Sequence, residues 1–159
     1  MPKIDYADAH RIQVEEHQVQ SIDALTRALF ATAPEWIKTL LRLRNVLGRP
    51  FGLKTAYEPT AVSVEGELKP GTRVGLFQVF DRTAEEVLMG EDDRHLDFRV
   101  SVRLEREQDR SWAVVSTVVR FNNRLGRLYF VPVRPFHGVI VPAMMRLGLA
   151  KQAHNTALQ

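Results

Sequence analysis

The densest group of side chains that could carry chemistry stands between positions 92 and 97. It consists of Asp92, Asp93, His95 and Asp97. Carboxylates and imidazoles transfer protons in enzymes, and they also bind zinc and iron. Aspartates are equally favoured in turns, where their side chains bond to the backbone. The spacing is therefore typical first of a turn followed by a solvated strand face, and second of a catalytic or binding site.

His137 is a second candidate, because it stands at the start of an apolar stretch. A buried imidazole needs a hydrogen-bond partner, which Tyr129, Arg134 or the group around His95 could supply. We interpret His137 first as a structural hydrogen-bonding residue and second as a functional one. Taken together, the candidate proton carriers are His95, Asp97, Tyr129 and His137.

Motifs that bind metals, nucleotides or activated nucleophiles are missing from the sequence. The chain has no cysteine, and its remaining histidines lack the spacing of metal ligands, so we predict neither a metal nor a cofactor. It contains no G-x-G-x-x-G and no G-x-S-x-G, which removes the sequence support for a dinucleotide site or a nucleophile-elbow hydrolase. The passage from Gly48 to Thr55 is one residue too short for a phosphate-binding loop.

The first half of the chain predicts one strand and two short helices. Apolar and polar residues alternate weakly over Asp5–Val14, which predicts a strand. Ser21 is a suitable N-cap for a helix that ends near Thr32. Pro34 suits the first turn of a second helix, which Gly48 ends. A passage rich in glycine and proline follows as far as Thr72.

The second half of the chain predicts four strands and then a long helix. The strand candidates are Val74–Phe80, Glu85–Met89, His95–Arg106 and Ser111–Phe121. The turns between them, including one at Gly90–Asp93, are too short for parallel crossovers, so the strands form an antiparallel meander. A short irregular or helical piece is limited by Pro132 and Pro135. The last helix begins at Pro135, and because it is apolar nearly all round, it must be covered on most sides.

These elements predict an α+β fold in one domain, residues 1–159. A curved antiparallel β-sheet grips a long C-terminal helix, and two short helices follow the first strand. The length suits one domain. The composition, 45% hydrophobic and 26% charged residues, is that of a soluble globular protein. This order of elements is the helix-grip arrangement.

Several passages also carry a resemblance to a known family. Gly90–Val102, Asn123–Phe130, Pro135–His137 and the early Asp5–Ala9 resemble a bacterial family catalogued only as a domain of unknown function. That family is allied to the START-like superfamily, also called SRPBCC, which includes lipid-transfer proteins, the birch pollen allergen and polyketide cyclases. The resemblance extends over nearly the whole chain and implies an apolar cavity between the sheet and the long helix. It implies no particular reaction.

The preferred hypothesis is therefore a START-like module that binds a small hydrophobic or amphipathic molecule. An anionic head group on that molecule would be met by arginines of the C-terminal region. The expected lining comprises Trp36, Phe51, Phe77, Phe98, Arg120, Phe136, Ile140 and Met144. The first alternative is a small enzyme of cyclase or hydrolase type that uses His, Asp and Tyr as acid–base groups in the same cavity. The second is a structural module that forms a homodimer along the C-terminal helix. We favour a binding module over an enzyme.

The charges divide the chain into two unequal parts. Residues 1–109 carry 15 basic and all 19 acidic side chains, a balance of −4, whereas residues 110–159 carry seven basic and no acidic ones. Because this basic part is also very apolar, we expect its charges to answer the acidic body of the domain and we predict no nucleic-acid partner. The longest uncharged stretch of this part, Pro135–Met145, is shorter than the ~18 residues of a membrane span. With no secretory signal recognised, we predict a cytoplasmic protein without a membrane span.

Overall fold

Within the described residues, six strands and two helices follow one another, where the sequence predicts five strands with helices after the first and after the last. The computed structural model describes residues 3–15, 19, 21–31, 67–74 and 77–156, with only the backbone described for residues 31 and 151–156. The elements are β1 (Tyr6–Val14), α1 (Ile22–Ala31), β2 (Arg73–Val74), β3 (Phe77–Arg82), β4 (Glu86–Asp92), β5 (Leu96–Glu107), β6 (Arg110–Phe121) and α2 (Arg124–Thr156). The predicted helix after Pro34 lies outside the described residues.

The strands form a single antiparallel sheet with the order β1-β6-β5-β4-β3-β2. Strands β2 to β6 are the predicted meander, and β1 joins its far edge beside β6. The chain therefore has to cross from one edge of the sheet to the other between β1 and β2. Helix α1 belongs to this crossing and contacts β2, β4 and β5.

Two strand boundaries differ from the prediction. The predicted strand Val74–Phe80 falls on two strands that pair with each other, with Val74 opposite Phe77. The alternation of apolar residues does not reveal that the chain reverses between these two residues. The predicted turn Gly90–Asp93 is also displaced, because β4 continues to Asp92. The chain reverses one step later, where the Asp93 N–H donates to the Leu96 carbonyl at 3.2 Å.

The C-terminal helix is one continuous element rather than two pieces. It begins after Asn123, whose Oδ1 accepts the N–H of Gly126 at 2.9 Å and so acts as an N-cap. Three prolines lie inside the helix, at positions 132, 135 and 142, so the prediction of a helix that begins only at Pro135 is wrong. Their spacing places all three on one face. Each proline leaves the carbonyl four residues earlier without its helical donor, and residues 128, 131 and 138 are exposed, so water can bond those carbonyls.

One face of the sheet, here called the inner face, is covered by α1 and α2. It presents the buried Val100, Val102 and Leu104 of β5, which alternate with Arg99, Ser101 and Arg103 on the opposite, outer face. This alternation confirms the prediction for β5. The hydrophobic core joins the inner face to both helices through Leu25 and Leu29 of α1 and Met145 and Leu149 of α2, with further side chains from β1, β3, β4 and β6. The α+β helix-grip arrangement is therefore confirmed.

The capping of α1 also follows the prediction. Ser21 Oγ accepts the N–H of Ala24 at 3.1 Å. Asp23, in the first turn of the helix, is buried, and its carboxylate accepts the N–H of Leu68 at 3.0 Å and the side chain of Arg82 at 2.8 Å. These bonds fasten the start of α1 to the segment before β2 and to β3. They hold the helix across the inner face of the sheet.

Candidate functional site

A cluster of four polar side chains lies between β1 and α2, on the inner face of the sheet. Tyr6, Asp8 and His10 alternate along β1 with the same parity as Val14, which is buried in the core. Pairing with β6 places Asp8 opposite Thr117, which is only 3% exposed. His137 reaches the same place from α2. We refer to Tyr6, Asp8, His10 and His137 as the inner-face cluster.

The inner-face cluster is built around one carboxylate oxygen. Asp8 Oδ2 accepts the hydroxyl of Tyr6 at 2.8 Å and lies 2.8 Å from His137 Nδ1. His10 Nε2 is 3.6 Å from the same oxygen. Because an ionised carboxylate can only accept hydrogen bonds, Nδ1 of His137 carries a proton, which leaves its Nε2 able to accept or release one. This is the arrangement in which a carboxylate orients an imidazole.

The electrostatics of the cluster favour an ionised Asp8. Burial alone would raise the pKa of Asp8, but the hydrogen bond from Tyr6 and the charge and hydrogen bond of His137 outweigh it, so the pKa of the carboxyl lies below its usual value. The pKa of Tyr6 is raised, first by burial and then by its hydrogen bond to Asp8. At neutral pH the cluster therefore contains a carboxylate and a neutral phenol.

Two polar atoms of the cluster lack a partner within the described part of the chain. Asp8 Oδ1 and His10 Nε2 are buried and make no hydrogen bond to any described residue. A buried polar atom without a partner costs about 1–3 kcal/mol, and the great majority of such atoms in folded proteins are bonded. The cluster therefore has the capacity for one further polar group, and a hydroxyl or amine that donates to Asp8 matches it.

Aromatic rings flank the inner-face cluster. The ring of Tyr6 lies 4.8 Å from that of Phe130, measured between centroids. Across the sheet Tyr6 is opposite Val119, and Val119 is opposite Phe98. The Phe98 ring packs edge-on against Phe77 at 5.5 Å. The inner face thus carries a band of apolar rings beside the polar inner-face cluster.

The group around Asp97 has a different position and a different environment. Asp97 is only 6% exposed, yet it lies on the outer face, opposite Arg120 in the sheet register. Its carboxylate accepts hydrogen bonds from the Arg120 side chain, from Asn122 Nδ2 at 2.8 Å and from the Asp93 N–H at 3.2 Å. These partners belong to the β4–β5 turn and to the end of β6. Asp97 ties those two parts of the chain together.

His95 takes part in the same connection. It is 8% exposed, and its Nδ1 lies 3.1 Å from Nδ2 of Asn123, the N-cap of α2. The His95 carbonyl accepts the Asn122 N–H at 2.9 Å, and Gly126 approaches that carbonyl so closely that a β-carbon would overlap it. These contacts agree with the first interpretation of this group, in which its polar side chains stabilise a turn. His95 and Asp97 do not converge with His137, so the structure does not bring the predicted proton carriers into one site.

The remaining predicted residues lie in different parts of the structure. Phe77 and Phe98 lie half-buried on the inner face, packed against the core, and Ile140 and Met144 are half-buried on α2. Phe136 is 48% exposed, and Arg120 lies on the outer face beside Asp97, so neither position fits a residue that lines a cavity between sheet and helix. Tyr129 is half-buried. Trp36 and Phe51 lie outside the described residues.

Sequence reasoning missed Tyr6, Asp8 and His10, although the signal was present. The alternation that places Ile12 and Val14 on one face of β1 continues back to His10, Asp8 and Tyr6. Three polar residues that alternate in step with core residues, on a strand at the edge of a sheet, indicate a polar site on the inner face. The partner on α2 is a contact between residues 129 positions apart, which no local pattern can show.

Two further features of the described residues bear on the predicted sites. A surface recess lies at the β5–β6 turn against Glu107, Gln108, Asp109 and Arg110, at the far end of both strands from Asp97, so it is not the predicted cavity. Within the described ranges, no group of three or more His, Asp or Glu side chains is arranged to hold a metal ion. The absence of a metal remains a prediction.

The fold and the inner-face cluster define a helix-grip protein with an amphipathic inner surface. The chain belongs to the family described as a protein of unknown function, DUF2867, whose model matches residues 1–144, as the sequence resemblance indicated. The crystal structure of Ara h 8.0201 is similar with a TM-score of 0.41 and 13% identity, over 91% of this chain and 98% of that one. An uncharacterised protein from Rhizobium leguminosarum has a TM-score of 0.41 and 15% identity, over 92% and 97% of the two chains. No curated protein matches the chain.

Proposed function

We propose that this protein binds a small amphipathic molecule between the inner face of the sheet and α2. The polar group of the ligand donates to Asp8, and its apolar body lies along the band that contains Phe98 and Phe77. The observation that carries the proposal is the pair of buried atoms, Asp8 Oδ1 and His10 Nε2, that find no hydrogen-bond partner among the described residues. They stand next to aromatic side chains on the face that the helix covers.

The charge of the site narrows the class of ligand. An ionised Asp8 repels an anionic head group and favours a neutral hydroxyl or a cationic amine. Arg120, which the sequence offered for an anionic head group, lies on the outer face and bonds Asp97. The proposed ligand therefore carries a hydrogen-bond donor, as in a phenol, a sterol-like alcohol or an amine. It does not carry the anionic head group that the sequence suggested.

Binding of 2-naphthol tests this proposal, because the molecule joins one hydroxyl to an aromatic body and is fluorescent. We expect saturable binding to the wild-type protein and binding about tenfold weaker to Asp8→Asn, since a hydrogen bond to a charged group contributes about 1.5–3 kcal/mol. Asp109→Asn is the matched control, because Asp109 is exposed at the β5–β6 turn. Equal affinity of the wild type and both variants would contradict the proposed site.

A second candidate function rests on the pairing of Asp8 with His137. A carboxylate bonded to Nδ1 orients an imidazole for proton transfer at Nε2, so the same site could catalyse a cyclisation or a hydrolysis. The hydroxyl of a bound molecule near His137 would be the group that gives up its proton. This hypothesis requires that His137→Gln abolishes turnover of a substrate while leaving its binding unchanged, whereas a pure binding module shows no turnover to lose.

We also propose that the protein works in the cytoplasm as a soluble single domain spanning residues 1–159. The described elements share one hydrophobic core, which supports a single domain. Fractionation of cells that produce the protein tests the location. Recovery of the protein only outside the cytoplasm would contradict it.

A further inference from the structure

The outer side of α2 carries a stripe of exposed apolar residues. The members, with their exposed fractions, are Leu128 (72%), Val131 (64%), Phe136 (48%), Val139 (62%) and Leu147 (44%). Positions 128, 131, 135 and 139 recur at the three- and four-residue spacing of one helix face, and Pro135 is exposed among them. The described part of the chain does not cover these side chains, so their expected cover, by the sheet, the other helices, an apolar ligand or a second subunit, stays a prediction. We call these five residues and Pro135 the α2 stripe.

The hydropathy of α2 is unusual for a helix with so much exposed surface. Its segment Arg124–Ala150 is long and apolar enough to cross a membrane. An 18-residue window in this segment has a mean hydropathy of 1.2, and only 11% of that window is buried. However, Met145 and Leu149 belong to the core, and Gly148 packs against the backbone of α1. Because the inner side of α2 is engaged with its own domain, the helix can offer a membrane only its outer side.

The charged side chains that α2 itself places near the α2 stripe are all positive, although Asp5 lies 3.9 Å from Arg127. Arg124 and Arg146 are exposed near its two ends and stand about 33 Å apart along the helix at 1.5 Å per residue. Arg127 and Arg134 are exposed on one flank. No acidic residue follows Asp109 in the sequence. An apolar face with arginines at its ends and flank is the composition of a helix that lies in the interface of an anionic membrane.

We propose that the α2 stripe docks the protein on an anionic lipid membrane, with α2 parallel to the membrane plane. The apolar side chains enter the boundary between head groups and acyl chains, and the arginines meet lipid phosphates. A second copy of the chain fits this face less well, because neither copy brings an acidic side chain from this region to offset the arginines of the other. This inference goes beyond the proposed ligand binding and does not depend on it.

The prolines of α2 support shallow docking rather than deep insertion. Pro132, Pro135 and Pro142 leave the carbonyls of residues 128, 131 and 138 without helical donors, on the same outer side. In the hydrocarbon core such carbonyls would need partners, whereas in the head-group region water supplies them. The outer side of α2 therefore matches the depth of about 5–10 Å at which interfacial helices lie.

Single-cysteine labelling tests the docking surface, because the chain has no native cysteine. Val131→Cys and Val139→Cys would be labelled with an environment-sensitive nitrobenzoxadiazole dye and titrated with vesicles. The vesicles contain 30% phosphatidylserine in phosphatidylcholine, or phosphatidylcholine alone. We expect a blue shift and higher emission from both labels with the anionic vesicles. Arg103→Cys, exposed on the outer face of the sheet, is the control and should not respond.

The contribution of charge is tested by Arg124→Gln and Arg146→Gln. Each substitution should weaken binding to the anionic vesicles about fivefold, the factor that corresponds to about 1 kcal/mol per basic residue at an anionic surface. A label response that is equal at positions 103 and 131, or no response at all, would overturn the proposal. Protection of the labels by self-association without vesicles, seen as a dimer in ultracentrifugation, would overturn it as well and would support the homodimer.

Discussion

At the scale of single residues, Asp8 is the group on which the candidate site depends. It joins β1 to α2 through His137 and holds the hydroxyl of Tyr6 with the same oxygen. Its second oxygen is buried and makes no bond to the described residues. The carboxylate therefore holds β1 and α2 together through one oxygen and can accept a hydrogen bond from a ligand with the other. Measuring both the free energy of unfolding and the ligand affinity of one Asp8 variant separates these two roles.

The first prediction concerns Asp8 and pH. Because the folded-state pKa of Asp8 is lowered, its ionised form stabilises the protein above the unfolded pKa of about 3.9, and this stability is lost as the pH falls through the folded pKa. Asp8→Asn should lower the free energy of unfolding by about 1–3 kcal/mol at pH 7. The difference should shrink as the pH falls below about 4. Urea unfolding at several pH values measures it, and a difference that does not change with pH would contradict the assignment.

A second prediction compares two carboxylates that bond the same arginine. Arg82 contacts the buried Asp23 at 2.8 Å and the exposed Glu67 at 2.6 Å. Asp23 also holds the Leu68 N–H, so Asp23→Asn should lower the free energy of unfolding by about 2–3 kcal/mol. Glu67→Gln should change it by less than about 1 kcal/mol, because a solvated ion pair contributes little. Equal effects in denaturant titrations would show that burial is not what makes Asp23 important.

The sequence indicates single residues well only where their task is local. Ser21 as an N-cap was predicted from its neighbours, and its side chain makes the expected bond. The prediction that Asp92–Asp97 form a turn also agrees with the contacts of Asp97, because its carboxylate accepts the backbone N–H of Asp93. The pairing of Asp8 with His137 could not be predicted from the sequence, because it depends on how α2 lies over β1.

At the scale of elements, glycines mark where α2 approaches the rest of the fold. Gly126 faces the His95 carbonyl, and a β-carbon at Gly148 would stand 2.6 Å from the Ala28 carbonyl of α1. From sequence alone Gly148 is a residue that weakens its helix. The structure gives it a second effect, because only a residue without a side chain allows α1 and α2 to pack this closely.

The third prediction follows from this close approach and uses one substitution at two places. Gly148→Ala should lower the free energy of unfolding by about 1–3 kcal/mol through overpacking. In Gly138→Ala the new β-carbon meets no described atom within 4 Å, so the variant should gain up to about 1 kcal/mol from helix propensity. Thermal unfolding of both variants measures the two signs. A gain at position 148 would contradict the packing of α1 on α2.

The elements themselves were predictable to different degrees. The strict alternation in β5 predicts its two faces, which the burial pattern confirms. The continuous α2 was not predictable, because three prolines are a strong signal for a helix end. The helix passes through them because all three lie on one face and the carbonyls that they leave unbonded belong to exposed residues, and this exposure is known only from the structure.

At the scale of the whole molecule, the uneven charge has two outcomes. Part of the positive C-terminal region answers acidic residues elsewhere, as expected, since Arg120 bonds Asp97 and Arg127 lies 3.9 Å from Asp5. The rest, with Arg124 and Arg146, lies exposed on α2. The sequence indicated that these charges are mainly intramolecular, with some arginines left for an anionic ligand, and the α2 stripe specifies a surface where an anionic partner would meet them.

The proposed amphipathic site lies on the inner side of α2, and the proposed membrane-facing stripe lies on its outer side. One helix would then separate the bound molecule from the lipid surface. The order of elements made the helix-grip fold predictable, because short turns enforce an antiparallel meander. The function of the two sides of α2 was not predictable, since both sides are apolar in sequence and only the packing of α1 and the sheet tells them apart.

The central claim is that Asp8 receives the polar group of a ligand on the inner face. Its most direct test is a binding cycle by titration calorimetry, with 2-naphthol and naphthalene as ligands and the wild type and Asp8→Asn as proteins. We predict that the hydroxyl strengthens binding to the wild type about tenfold and that this advantage disappears in Asp8→Asn. If the advantage of 2-naphthol is the same in both proteins, Asp8 does not bind the ligand and the account is wrong.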